Sequence, residues 1–455
     1  MLLLISSCAS WFKKYNFSFL GNLLPIKKRQ ALIPSEINDI FISESLTYFT
    51  LSPLCFSLSL LKILWYILVQ TVDQNTGTPR TKIWEQEMTK KIGIVTGGGD
   101  CPGLNAVIRA IVKAGALYGW ECIGIHGGFD GLLSPVKALP LALKDMDGLL
   151  IRGGTILGSA NSGQFSAKTG HGEVRQVPQT ILNQAKTNFD ALDLSALVAI
   201  GGDGTLTIAQ QMFEMGFPVV GVPKTIDNDL DATQMTFGFD TAVACAVDAL
   251  DRLHSTAQSH NRVMVLEVMG RYAGWIAAYA GLAGGADVIL IPEIRFHYDE
   301  IVKKIHSREA EGKHFTIVIV AEGATIEGQG FVTSNKTGND REARLGGIGH
   351  IVAMEIENRT KKEARCVVLG HLQRGGQPTQ WDRQLCTRFG VHAFQMIARG
   401  KFGFMVALKE NGMMGPVSLK DAINKIRRVD PQGELIMTAR ALGISFGDEM
   451  KPLAL

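Results

Sequence analysis

IGIVTGGGDCPGLNAVIRAIVKAGALYG (residues 92–119) reads as an apolar strand at Ile92–Thr96, a glycine-rich turn, and an amphipathic helix opening at about Leu104. The same order recurs outward from it. CIGIHGGFDGLL (122–133), ALVAIGGDGTLTIAQQMFEMG (196–216) and PVVGVPKTIDNDL (218–230) each run from an apolar strand into a polar or glycine-rich turn. Continuous apolar runs at Ala196–Ile200, Val263–Val268 and Phe315–Val320 suit central strands covered on both faces. Strands alternating with helices predict an α/β fold with mostly parallel sheets. In such sheets ligands bind beyond the carboxyl ends of the strands, where these glycine clusters fall.

Composition bounds what the chain can be. Of 455 residues, 46% are hydrophobic and 20% charged, enough to build a large core and too ordered a mixture for a disordered chain. Lys and Arg (46) nearly balance Asp and Glu (43), which argues against a nucleic-acid-wrapping protein but allows a local phosphate pocket. Seven scattered cysteines without a CxxC pair predict neither a disulfide framework nor a zinc site, and fit a reducing, cytoplasmic setting.

Residues 1–87 read differently, with Gly21 and Gly77 their only glycines. Ser45–Val72 is apolar enough to cross a bilayer of ~30 Å, but Lys62 lies in its middle and Pro53 interrupts it. MLLLISSCASWFKK places its basic residues after the apolar segment, unlike a signal peptide. Met88-Thr89-Lys90-Lys91 followed by a buried strand has the form of a natural start. The expectation is an upstream translation outside the working protein, with a membrane anchor and an unusual presequence as the alternatives.

Four constellations carry chemistry. Gly97-Gly98-Gly99-Asp100 can present backbone N–H groups to an anion at a helix N-terminus, although alone it is equally a tight turn. Gly201-Gly202-Asp203-Gly204-Thr205 adds a carboxylate to a phosphate cradle, which makes sense if a cation lies between; Asp203 is the candidate magnesium ligand, ahead of a helix expected from Leu206. Lys224-Thr225-Ile226-Asp227-Asn228-Asp229 ends a strand with two carboxylates, and Asp227 can act as the base toward an acceptor hydroxyl. Arg262, Met269-Gly270-Arg271, Arg365 and His371-Leu372-Gln373-Arg374 supply arginines suited to a second phosphate site.

TGGGDCPGLNAVIR, IRGGTILGS, IGGDGTLTIA, PKTIDNDL, SHNRVMVLEVMGRYAGW and VVLGHLQRGG, in this order, resemble the phosphofructokinase family from Lys90 to about Ile444. The resemblance implies two similar lobes of mostly parallel sheets flanked by helices, with the active site in the cleft between them. It implies a non-family extension at 1–88, a nucleotide-binding lobe of 89–238 with about 373–423, and a sugar-phosphate lobe of 239–372 with about 424–455. Gly99, Gly202, Asp203, Gly204 and Thr205 would hold ATP, with Mg2+ on Asp203. Thr225, Ile226 and Asp227 would contact fructose 6-phosphate, Asp227 as the base toward its 1-hydroxyl. Met269, Gly270 and Arg271 resemble the sugar-binding turn, Glu322 the acid on the sugar hydroxyls, and the segment His371, Leu372, Gln373, Arg374 the grip on the 6-phosphate. Arg262 and Arg365 resemble arginines that reach a neighbouring subunit's site, implying a homodimer or homotetramer. No membrane is expected for 89–455.

The family divides by phosphoryl donor. Pyrophosphate users resemble GGDD where this chain has Gly204, and glycine leaves room for a nucleotide, which favours ATP. Lys224 is shared with pyrophosphate users, so Gly204 with Lys224 resembles the mixed-substrate branch. Asn161 stands where many ATP-dependent relatives have arginine, so the balancing charge is expected from Lys224 with magnesium. His254 replaces an effector-site arginine of bacterial relatives, while Arg109 and Lys113 keep that site partly basic. The alternatives are a pyrophosphate-dependent enzyme and a non-catalytic regulatory homologue; a lipid or NAD kinase would lack the MGR and HLQRGG segments.

Overall fold

The computed structural model describes residues 90–160, 163–165, 168–169, 173–174, 176–335 and 344–449. The extension at 1–88, its apolar run and Asn161 lie outside the described residues.

Strands β1 (Lys91–Thr96), β2 (Glu121–Ile125), β3 (Ala138–Pro140), β4 (Leu194–Gly201) and β5 (Val219–Pro223) are joined by helices that include α1 (Leu104–Leu117) and α2 (Asp203–Glu214). There follow α3 (Phe239–His260), β6 (Val263–Val268), α4 (Trp275–Ala283), β7 (Val288–Leu290), β8 (Thr316–Ala321), α5 (Ile348–Thr360), β9 (Ala364–Val368), α6 (Gln380–Ala398), β10 (Phe404–Leu408) and β11 (Met414–Ser418). A seven-stranded sheet has the order β11-β10-β5-β4-β1-β2-β3, and a four-stranded sheet the order β9-β6-β8-β7. The smaller sheet is wholly parallel. The larger one is parallel except at its two edges, where β3 and β11 run antiparallel to their neighbours.

Burial follows the two-residue period of the strands. Ile92, Ile94, Ala196, Val198 and Ile200 enter one core, while Val95, Leu197 and Ala199 enter another on the opposite face. The smaller sheet repeats this, sending Met264, Leu266, Ile317 and Ile319 to the first core and Val263, Val265, Val318 and Val320 to a third. The first core therefore lies between the sheets and contains the helices that pack there. Along α3 it takes Phe239, Ala242, Ala246, Leu250, Leu253 and Ala257, the three- and four-residue spacing of one helix face.

One boundary differs from the reading of the sequence. Helix α2 begins at Asp203, not Leu206, with Leu206 N–H donating to Gly202 O at 3.0 Å. Glycine's low helix propensity hides the first turn in the sequence, while Asp203 favours it by facing the positive end of the helix dipole. The consequence is that Asp203, Gly204 and Thr205 are presented by a rigid helical turn.

Candidate active site

The ends of β1, β4 and β5 bring three polar loops together. Gly97 N–H donates to Ile200 O at 2.9 Å, and Lys224 N–H to Gly201 O at 3.0 Å. Close approach requires the glycines here: a Cβ on Gly201 would lie 2.3 Å from the Thr205 side chain, and one on Gly99 would lie 2.6 Å from Arg374 Nη1. The opposing loop is pinned by buried side chains. Asn105 donates to Arg152 O and Gly153 O, both at 3.1 Å, and accepts from Ile156 N–H at 2.8 Å. Thr96 donates to Gly158 O at 2.7 Å, and Ser159 donates to Gly98 O.

These loops surround a cavity of about 560 Å³. Gly98, Gly99, Asp100, Gly154, Thr155 and Ser159 line it from the larger sheet, and Met269, His371 and Arg374 from the smaller. Lys224 is buried behind the glycine loop, its Nζ donating to Gly99 O. Burial lowers its pKa, and the Arg374 charge adds to that fall. Arg374 donates through Nη1 to Asp100 O at 3.2 Å, so it stands on the same loop.

The Asp227 loop is held from within. Thr225 Oγ1 accepts Asp227 N–H at 3.1 Å, Thr236 donates to Thr225 O at 2.7 Å, and Asn228 adopts a left-handed φ of 52° while its Oδ1 accepts Thr236 N–H at 3.0 Å. Asp227 Oδ1 is buried and accepts no hydrogen bond from any described residue. Burial pushes its carboxyl up to about 7, with Asp229 and Glu322 adding to the rise and Arg374 and Lys224 opposing it. A carboxylate so poised can take a proton near neutral pH. Ile226 packs its side chain into the core, so any contact it makes with a ligand is through backbone.

On the smaller sheet, Gly270 holds φ 138°, and its carbonyl accepts Gly323 N–H at 3.1 Å. A Cβ on Gly323 would lie 2.0 Å from Arg271 O, so the MGR turn and Glu322 are in close register. Burial raises the Glu322 carboxyl, and the Arg271 charge opposes that rise. Within the HLQR segment, His371 and Arg374 line the cavity, whereas Leu372 is exposed and Gln373 is fully buried, donating to Gly370 O at 3.2 Å.

Arg262 and Arg365 stand elsewhere. They flank the opening ends of β6 and β9, opposite to the carboxyl ends that carry the cavity, and both pair with Glu363, Arg262 Nε at 2.6 Å. Arg109 and Lys113 line a separate cavity of about 730 Å³ together with Lys144. His254 is not among its lining residues; its Nε2 is 2.8 Å from Gly284 O.

Reasoning from sequence missed Asn105, Thr155 and Ser159. Asn105 had a signal, as a polar residue on the apolar face of a helix. It also missed Asp382, buried between helices, which accepts from Gly238 N–H at 3.0 Å, Thr241 N–H at 2.9 Å and Thr241 Oγ1 at 2.6 Å. Thr379-x-x-Asp382 has the spacing of a capping box, and Thr379 Oγ1 does accept Asp382 N–H.

Fold and site together define an α/β protein built to handle phosphate groups at the strand ends of two facing sheets. Residues 91–397 match the family model described as phosphofructokinase, and the chain belongs to that family. It is 52% identical over 364 residues to the ATP-dependent 6-phosphofructokinase of Chloroflexus aggregans, covering 79% of this chain and 99% of that protein. It is 48% identical over 342 residues to the pyrophosphate–fructose 6-phosphate 1-phosphotransferase of Amycolatopsis mediterranei, covering 74% of this chain and 96% of that one. Among solved structures, phosphofructokinase from Pichia pastoris in the T-state superposes with a TM-score of 0.64 at 30% identity, over 79% of this chain and 37% of the fungal one.

Proposed function

We propose that the chain is an ATP-dependent 6-phosphofructokinase, transferring the γ-phosphoryl group of ATP to the 1-hydroxyl of fructose 6-phosphate. The observation that carries this is Asp227: a half-buried residue whose enclosed Oδ1 is free to accept, its carboxyl pushed up to about 7 beside Lys224 and Arg374. It would take the hydroxyl proton as the oxygen attacks, while the two cations stabilise charge on the transferred group.

ATP rather than pyrophosphate is supported by Gly204. A Cβ built there meets no atom within 4 Å, so the glycine leaves open space beside Asp203 where a second carboxylate would repel a nucleotide's α-phosphate. The loops of 89–238 and about 373–423 are assigned to the donor, and those of 239–372 and about 424–455 to the sugar phosphate. Among the described residues no cluster of three or more His, Cys, Asp and Glu side chains could hold a metal by itself. The hard oxygen donor at the start of α2, the Asp203 carboxylate, suits Mg2+ held jointly with donor phosphates. When bound, magnesium would neutralise charge on the phosphates during transfer.

Arg262 and Arg365, away from this chain's own cavity, are assigned to a neighbouring subunit's site in a homodimer or homotetramer. Among the described residues no helix is long and apolar enough to cross a membrane. The scattered cysteines without a CxxC pair support a reducing, cytoplasmic setting. An aldolase-coupled assay of the full chain with fructose 6-phosphate, magnesium and either donor tests the reading. Turnover with ATP is expected; turnover with neither donor would leave the regulatory homologue as the better account.

A further inference from the structure

A short segment after the larger sheet's last strand, Ile426–Val429, runs between the two halves of the site. Ile426 forms an isolated antiparallel bridge with Leu230. Arg427 N–H donates to Asp229 O at 2.8 Å, and its Nη1 donates to Gln234 O. These contacts fall on the loop that carries Asp227, two residues before Asp229. On the other side, Arg427 O accepts Trp275 Nε1–H at 2.9 Å, and the guanidinium lies 4.7 Å from the centre of the Trp275 ring. Trp275 opens α4, directly after the MGRYAG turn. The tie is doubled by Glu293, whose carboxylate accepts Val429 N–H at 2.8 Å and Gly274 N–H at 3.0 Å.

We propose that Arg427 is a positioning residue that fixes the Asp227 loop relative to the Met269–Arg271 turn, and so sets the distance between base and sugar. The inference rests on the kinase reading above. The side chain is suited to it because a planar guanidinium can lie on an indole face and donate in its own plane at the same time. Arg427 is not among the residues lining the cavity; it acts through Asp227 and through the turn before Trp275. Its loss therefore lets the two halves of the site shift while the donor loops at β1 and β4 stay in place.

The test uses the full chain with ATP, fructose 6-phosphate and magnesium, comparing Arg427→Met, Arg427→Lys and Trp275→Phe with the parent. Arg427→Met is expected to lower kcat by about ten- to a hundred-fold, the scale set by sub-ångström misplacement of reacting groups, with KM for ATP nearly unchanged. Arg427→Lys, which keeps a cation over the ring, restores part of the loss, and Trp275→Phe gives a smaller drop by removing one N–H. Parental kcat and KM in Arg427→Met overturn the proposal. So does a loss that raises KM for both substrates equally, tracks a fall in melting temperature and is not relieved by lysine. If Arg427→Met does not fold, Trp275→Phe decides: lowered kcat with an unchanged melting temperature supports positioning, and unchanged kcat overturns it. A parent inert with either donor would remove the kinase reading itself, and this inference with it.

Discussion

Lys224 and Arg374 meet on one loop. Lys224, from the end of β5, donates to Gly99 O, and Arg374, from the turn after β9, donates to Asp100 O. Two cations from different sheets thus converge where the acceptor and donor phosphates would lie, and both act electrostatically on Asp227. The sequence assigns the balancing charge to Lys224 with magnesium and keeps Arg374 for the 6-phosphate. The geometry puts Arg374 beside Lys224, which supplies a second source for the charge that an arginine at position 161 would bring.

Gly204→Asp should alter donor use without harming the fold. Its Cβ would enter open space, and a carboxylate in the first turn of α2 is favoured by the helix dipole. The expected result is a melting temperature equal to or above the parent's, with kcat/KM for ATP lowered by about a hundred-fold through like-charge repulsion. Steady-state kinetics with both donors, alongside thermal melting, check this.

Gly99→Ala would place a methyl group 2.6 Å from Arg374 Nη1, the movable end of a long side chain. The guanidinium gives way, so stability changes by less than ~0.5 kcal/mol, the usual limit away from core and network features. The cost falls on binding: KM for fructose 6-phosphate should rise about ten-fold, the equivalent of one charge-assisted hydrogen bond. An unchanged KM would mean that Arg374 does not hold the sugar phosphate.

Asp382→Ala tests a purely structural carboxylate. It would leave Gly238 N–H and the Thr241 N–H and hydroxyl without their buried acceptor, a loss of about 3 kcal/mol. Burial has pushed this carboxyl up to about 6 despite those donors. Because the folded pKa is raised, the protonated form is the one favoured by folding, so its contribution is greatest at low pH and declines as pH rises through about 6. Denaturant melts of parent and variant at pH 5 and pH 8 measure the size and the sign.

Much of this was legible in the sequence because the central strands are continuous apolar runs that end in glycine clusters. Ile92–Thr96, Val219–Val222 and Val263–Val268 were placed to within a residue. The start of α2 was not, because Gly204 conceals a helical turn that Asp203 stabilises. Long-range partners were equally hidden: nothing near Arg427 in the chain points to Trp275, 152 residues away. The exposure of Leu372 and the burial of Gln373 were also hidden, since they are set by the packing of a turn and not by neighbours in sequence.

The most direct measurement is the pH dependence of kcat/KM for fructose 6-phosphate, at saturating ATP and magnesium, in the parent and in Asp227→Asn. A base must be deprotonated to act, and the Asp227 carboxyl titrates at about 7. The parent should lose about ten-fold per pH unit below that point and level off above it. Asp227→Asn should be slower by about 10²–10⁴-fold and lack that acid limb. An acid limb that persists in Asp227→Asn, or a variant as fast as the parent, would contradict the account.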